Sequence, residues 1–270
     1  MKIHPTAIVQ KGAALADDVE VGPYSVIGER VTVGKSCRIG AHCVLDGETT
    51  IGEGNRFFTG AVIGSIPQDL KYKGERSTLV IGNHNLFREY VTINLGTEGG
   101  GGETRIGNHI LVMAYSHVAH DCQIGDHAIL ANGATLGGHV VIEDRAILGG
   151  LAAVHQFVRV GRLAIIGGCS KLVQDVVPFA TADGYPARIY GLNKIGLDRA
   201  DVDKKTQQEL ERAFRILFRS RLSAQNALEK IEKELLQGEA IVHLVQFIRS
   251  SKRGFCRGLE GTGKEPAWNG

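Results

Sequence analysis

Four histidines of this 270-residue chain fall into step with one another. His120, His139 and His155 lie beside the apolar residues Val118, Leu136 and Val154, which are 18 residues apart, and His117 closes the stretch just before His120. Imidazoles titrate near neutral pH, so a group held together serves as a proton acceptor or as a set of zinc ligands. His84, His109 and His127 recur at an outward position and need only solvent to account for them. A second polar group, Gln68, Asp69, Lys71 and Tyr72, interrupts the pattern within 64–78, and 99–102 is a run of four glycines, flexible enough to cover a neighbouring site or a neighbouring chain. Cys122 follows His120 and Asp121 as a thiol nucleophile might be placed, but the repeat described next turns it inward as a packing residue.

A period of six is what would hold these groups in line. Stepping from Ile3 gives Val9, Leu15, Val21, Ile27, Val33, Ile39, Leu45, Ile51, Phe57 and Ile63; the register resumes at Ile81, Phe87 and Ile93, and again from Ile106 to Leu172. The next residue is often glycine (Gly22, Gly28, Gly34, Gly40, Gly82, Gly125, Gly149), expected where a backbone turns with a φ that favours it. The fourth residue on is small, as at Ser25, Cys37, Cys43, Ala61, Cys122 and Ala128. One large and one small inward position per six residues describe a short strand and a corner. Three such units close an 18-residue triangular coil, and 26 of them predict a parallel β-helix of eight to nine coils, a prism roughly 40 Å long. In that frame the four imidazoles lie along one side within ~10 to 15 Å. An antiparallel barrel would instead need period-2 strands and hairpin turns.

The six-residue pattern ends near Pro178, and 179–191, with Gly184 and Pro186, reads as a connecting stretch. Helical stripes follow from about Asp201: Leu210, Phe214, Leu217 and Phe218, then Leu228, Ile231 and Leu235, then Ile241, Leu244, Val245 and Ile248, with Gly238 breaking the last two. The division expected is a β-helix over 1–190, a helical domain over 191–257 and a disordered tail over 258–270.

Composition excludes several classes. With 22% charged residues, 43% hydrophobic and no apolar run of ~18 residues, the chain is neither disordered nor membrane-spanning. No signal or transit peptide is evident, so a cytoplasmic location is expected. A net charge of +2 gives no footprint for nucleic acid, and five cysteines argue against a disulfide framework. Glycine at 36 residues, about 13% against a usual ~7%, and only 6% aromatics suit a narrow core of aliphatic and small side chains.

The hexads, the loop Ile66-Pro67-Gln68-Asp69-Leu70-Lys71-Tyr72, the stretch His117-Val118-Ala119-His120-Asp121-Cys122, then Gly137-Gly138-His139, Ala153-Val154-His155-Gln156-Phe157 and the helical tail together resemble the UDP-N-acetylglucosamine 3-O-acyltransferase family of lipid A biosynthesis. The likeness runs from residue 1 to about 257. It implies a left-handed β-helix, a homotrimer with its site between adjacent subunits, and transfer of an (R)-3-hydroxyacyl group from acyl carrier protein to the 3-hydroxyl of UDP-N-acetylglucosamine. By the family motif His120 is the general base, Asp121 orients it, and the Gly138 N–H faces the oxyanion. Gln68, Asp69, Lys71, His117, His139, His155 and Gln156 match positions that hold the sugar, pyrophosphate or acyl group. Asn193 and Arg199 match nucleotide contacts, and Gly168 matches the position that limits acyl length. Neither metal nor organic cofactor is implied.

The chain departs from the family at Asn94, where many members have histidine, at Ile195, often acidic, and at Ala200, where some have a second arginine. Arg159, Arg162, Lys171 and Arg188 are candidates for docking the acidic carrier. A related N-acyltransferase would carry a further uridine-binding domain ahead of the hexads. A zinc hydratase or carbonic anhydrase on the same prism, with imidazoles from two chains as ligands, is the rival from another reaction class, and a binding solenoid without catalysis is the third reading.

Overall fold

In the computed structural model, which describes residues 1–259, the hexads become short parallel strands joined by tight corners. Strands three apart in order pair with one another, forming a first sheet that begins at Lys2–Ile3, a second at Ile8–Val9 and a third at Ala14–Leu15. The register is one coil: Ile129 pairs with Ile147, Thr135 with Ala153 and Gln123 with Val141, each 18 residues on. The architecture is a left-handed parallel β-helix followed by a C-terminal helical part. Most of the tail expected to be disordered, from Glu260 onward, lies outside the described residues.

The interior is built as the large-and-small alternation requires. Ile27, Leu45, Ile63, Leu130 and Leu148 are wholly buried beside the small Cys43, Ala61, Ser116, Cys122 and Ala128. Asn55 and Asn85 also occupy small positions and are wholly buried; the Asn85 N–H donates to Asn55 Oδ1 at 3.0 Å and the Ile110 N–H to Asn85 Oδ1 at 2.8 Å. Buried amides are tolerated because each meets the backbone of the next coil.

The glycines after the large residue have a different cause from the one expected. Positive φ occurs instead two residues later and is carried mostly by other residue types: Tyr24, His42, His84, His109, His127 and His139 all have φ between 56° and 61°. Gly22 and Gly82 are glycine because the next coil lies against them. A Cβ at Gly22 would fall 2.5 Å from the Gly40 carbonyl oxygen, and one at Gly82 equally close to that of Gly107. The left-handed corner residues are individually unfavourable by ~1–2 kcal/mol, but their side chains stack outward on those of adjacent coils. Tyr24 lies on His42 at 5.1 Å between ring centroids, and Tyr90 on Tyr115 at 5.3 Å.

The stretch 179–191 is not a connector. Ala180–Gly184 continues the first sheet in parallel beside Ile165–Ile166, and Ala187–Leu192 turns back antiparallel as a hairpin. The following edge is covered by 257–259, with the Ile189 N–H bonded to the Arg257 carbonyl and the Leu259 N–H to that of Ile189. Helicity begins earlier than its apolar stripes indicate, at α1 (Lys194–Arg199), and continues through α2 (Lys204–Arg219), α3 (Ala224–Glu234) and α4 (Glu239–Arg249). Asp203 and Ser223 cap α2 and α3 by accepting the N–H of Thr206 and Asn226.

Ion pairs and hydrogen bonds bind α4 to the prism. Arg159 donates to the buried Asp175 at 3.0 Å and to the Phe247 carbonyl at 2.6 Å, with its guanidinium 4.1 Å from the Phe247 ring. Arg162 pairs with Glu239 at 2.8 Å, and His243 with Glu143 at 2.8 Å. Arg159 and Arg162 are therefore both paired within the chain.

Candidate active site

Every break in the repeat falls on one corner, where the chain passes from the second sheet to the third. The polar loop leaves after Val62–Ser65 and returns at Thr78–Ile81; the glycine loop leaves after Thr92–Asn94 and returns at Glu103–Ile106. In the next three coils His120 and Asp121, then Gly138 and His139, then Gln156 and Phe157 occupy the same corner. His155 sits at the adjoining strand end, exposed, its Nδ1 3.0 Å from the Gln156 carbonyl. His117 points outward from the second sheet, its Nδ1 2.7 Å from Thr92 Oγ1.

The centre is an imidazole on a buried carboxylate. His120 Nδ1 lies 2.7 Å from Asp121 Oδ2, and the Asp121 side chain is 1% exposed against 13% for His120. An ionised carboxylate only accepts, so the proton is on Nδ1 and Nε2 carries the free lone pair. Asp121 also accepts the N–H of Thr97 at Oδ1 (2.8 Å) and the Thr97 hydroxyl at Oδ2 (2.6 Å), while its own N–H donates to Thr104 Oγ1 at 2.8 Å. The His139 ring meets that of His120 edge-on at 5.1 Å and stacks on Phe157 at 4.3 Å. Burial holds both His117 and His139 below the ordinary imidazole value, against the pull of Asp121 and Asp69 on His139.

Gly138 is glycine because of His120: a Cβ there would lie 2.5 Å from the ring Cε1 and Nε2. Among the described residues nothing accepts its N–H. Cys122 is wholly buried, donates to the Gly137 carbonyl, and burial drives its thiol up to about 12, so it is inert as a nucleophile.

In the polar loop Asp69 accepts the Lys71 N–H at 2.9 Å, and Gln68 and Lys71 are exposed. Asn94 does not open toward the site. It is buried, and its Nδ2 donates to the Ile66 carbonyl at 3.0 Å, fastening the base of that loop to the coil. Three candidate residues stand apart from this corner. Asn193 caps α1 by accepting the Gly196 N–H, and its amide donates to the Leu163 carbonyl on the third–first corner. Arg199 is exposed at the end of α1. Gly168 lies on the first–second corner, where a Cβ would come 3.3 Å from the Gly150 carbonyl oxygen and 3.9 Å from its nitrogen.

Ligand atoms of His120, Asp121 and His139 lie within 4.8 Å of one another, the spacing a cation needs. Of these atoms Asp121 Oδ2 is already engaged, with Nδ1 of His120 and the Thr97 hydroxyl both donating to it. The arrangement presents a free Nε2 beside an open backbone N–H, which suits proton removal next to a developing oxyanion. The sequence pattern does not mark Thr97, Thr104 or Thr92. Only the glycine run beside Thr97 gave a signal, and it pointed to a cover without saying what it covers.

Residues 175–256 match the family described as UDP-N-acetylglucosamine O-acyltransferase, domain 2, and residues 103–138 match the bacterial transferase hexapeptide (six repeats). An acyl-[acyl-carrier-protein]–UDP-N-acetylglucosamine O-acyltransferase of Anaeromyxobacter sp. (strain Fw109-5) is 48% identical over 257 residues, covering 95% of this chain and 100% of the relative. A protein of the same description from Thermodesulfovibrio yellowstonii is 47% identical, covering 95% and 99%. The solved UDP-N-acetylglucosamine O-acyltransferase from Moraxella catarrhalis superposes with a TM-score of 0.92 at 41% identity, covering 95% of this chain and 100% of that one. The Arabidopsis UDP-N-acetylglucosamine acyltransferase superposes at 0.83 with 35% identity, covering 94% and 100%. No helix among the described residues is long and apolar enough to cross a membrane.

Proposed function

This chain belongs to the acyl-[acyl-carrier-protein]–UDP-N-acetylglucosamine O-acyltransferase family and is an acyltransferase, and from that premise we propose that it moves an (R)-3-hydroxyacyl group from acyl carrier protein to the 3-hydroxyl of UDP-N-acetylglucosamine, the first step of lipid A biosynthesis. His120 Nε2 takes the proton of the sugar hydroxyl as its oxygen attacks the thioester carbonyl. The oxyanion of the tetrahedral intermediate forms against the Gly138 N–H. On collapse the carrier thiol leaves with the proton returned by His120. Asp121 keeps the imidazole in the tautomer that exposes Nε2. The observation that carries this reading is the 2.7 Å contact between His120 Nδ1 and a carboxylate that is itself buried.

Asp69, Gln68, Lys71, His139, His155, Gln156 and His117 hold the acceptor and the acyl chain around that centre. Asn193 and Arg199 meet the nucleotide from another subunit of a cytoplasmic homotrimer, which accounts for their place on a different corner of their own prism. Gly168, with no side chain, leaves the acyl groove long at that corner, where even a Cβ would come within 3.3 Å of the Gly150 carbonyl oxygen. Arg159, Arg162, Lys171 and Arg188 are the cations offered to the carrier.

The test is to incubate the protein with UDP-N-acetylglucosamine and 3-hydroxyacyl carrier proteins of several lengths. Acylated sugar nucleotide is expected, and none with any donor overturns the reading. His120→Ala should lower kcat by about 10²- to 10⁴-fold, the usual range for a positioned general base; full activity would remove His120 from that role.

A further inference from the structure

The carboxylate beside His120 is held from outside the repeat. Thr97 and Asp121 are separated by 24 residues and are both buried, at 6% and 5% exposure. The glycine loop brings the Thr97 N–H to one oxygen of Asp121 and its hydroxyl to the other, a two-point attachment that fixes the plane of the carboxylate. Gly100, in the 3₁₀ turn Glu98–Gly100, lies so close that a Cβ there would overlap the carboxylate itself. Oδ2 thus accepts from two donors, the Thr97 hydroxyl and His120 Nδ1. Held by His120 alone, the pair would be free to swing together, because Asp121 sits at a left-handed corner, φ 60°, whose side chain otherwise points to solvent.

We propose that Thr97 is a positioning residue for acyl transfer: the loop 95–102 is a strap that fixes Asp121, so that His120 presents Nε2 to the acceptor hydroxyl in one orientation. The strap contains glycine where it crosses the carboxylate because no side chain fits beneath it. The Thr97 hydroxyl also shares Oδ2 with His120, which tempers the charge that the imidazole meets. This inference rests on the general-base reading of His120, and its test separates the two.

Thr97→Val, Thr97→Ser and His120→Ala are compared in the full-length enzyme with both substrates. Thr97→Val is expected to lower kcat by about 10- to 100-fold, as for a lost hydrogen bond to a charged group, with KM for the sugar nucleotide within about twofold; Thr97→Ser should recover most of the loss. In Thr97→Val the acid limb of the kcat/KM profile should move to higher pH, because more of the Oδ2 charge is left to stabilise the His120 imidazolium. The other titratable groups facing that ring or its neighbour, His117, His139 and Asp69, are the same in all three proteins. Wild-type kcat in Thr97→Val, or equal loss in the Val and Ser variants, overturns the role of Thr97 when His120→Ala is inactive. An active His120→Ala overturns the general-base reading instead. Where Thr97→Val fails to fold, Gly100→Ala presses on the same carboxylate and must lower kcat at unchanged KM, or the strap is not a positioning device.

Discussion

Two corners of the prism carry histidines in the same position of the repeat and put them to different ends. On the third–first corner His84, His109 and His127 are exposed and stack on one another, with ring centroids 5.2 and 5.0 Å apart. The acid beside them, Asp126, accepts the Asn108 N–H at 2.7 Å and serves only to tie one coil to the next. On the second–third corner His139 has the same left-handed backbone, but the acid in the neighbouring coil, Asp121, is buried beneath an inserted loop and bonded to His120. A register can align side chains. What sets the second corner apart is the insertion that takes a carboxylate out of water.

The largest effect that would separate the corners is on turnover. Asp121→Asn should lower kcat by about 10²- to 10⁴-fold, because the amide oxygen is taken by the Thr97 N–H and the amide NH2 then faces His120 Nδ1, which favours the tautomer whose proton sits on Nε2. Asp126→Asn keeps an oxygen for the Asn108 N–H and should leave kcat unchanged, so equal losses in steady-state assays would erase the distinction. A smaller effect is on stability against pH. Burial keeps His117 and His139 below the ordinary imidazole value, so as pH falls through about 6.5 the unfolded chain takes up protons that the folded chain does not. Stability is therefore full above that range and declines on acidification. Thermal unfolding between pH 8 and pH 5 should show this slope, and His139→Gln should flatten it. Least of all, His109→Gln should change stability by no more than about 1 kcal/mol, since the corner keeps its left-handed φ with either side chain and only an exposed ring stack is lost; a larger loss would mean that the stacked column carries weight.

The coil geometry and the alignment of the histidines were legible because both depend on a period, and a period survives in sequence whatever the atoms do. The glycines are visible in the sequence but their cause is not: chain direction suggests a turning φ, whereas coil stacking imposes contact with a residue 18 or more positions away. The hairpin at Ala180–Leu192 left no mark because its strands belong to two different pairings, one parallel and one antiparallel. Arg159 looked like a free cation since Asp175 and Phe247, 16 and 88 residues distant, meet it only through folding. Thr97 shares that fate. A threonine in a glycine-rich stretch has no pattern of its own, and its partner is chosen by where the loop closes.

The hairpin that ends the stack bears on how the molecule keeps to itself. Each coil offers its unpaired N–H and carbonyl groups as a mould for another, and a regular stack with a bare end would accept a strand from any chain of the same pitch, growing into a fibre. Here the last parallel strand of the first sheet is followed by one running the other way, its edge is met by 257–259, and α4 is bolted to the prism through Arg159. Polymerisation from that end is refused by topology, which leaves the repeat free to remain regular elsewhere.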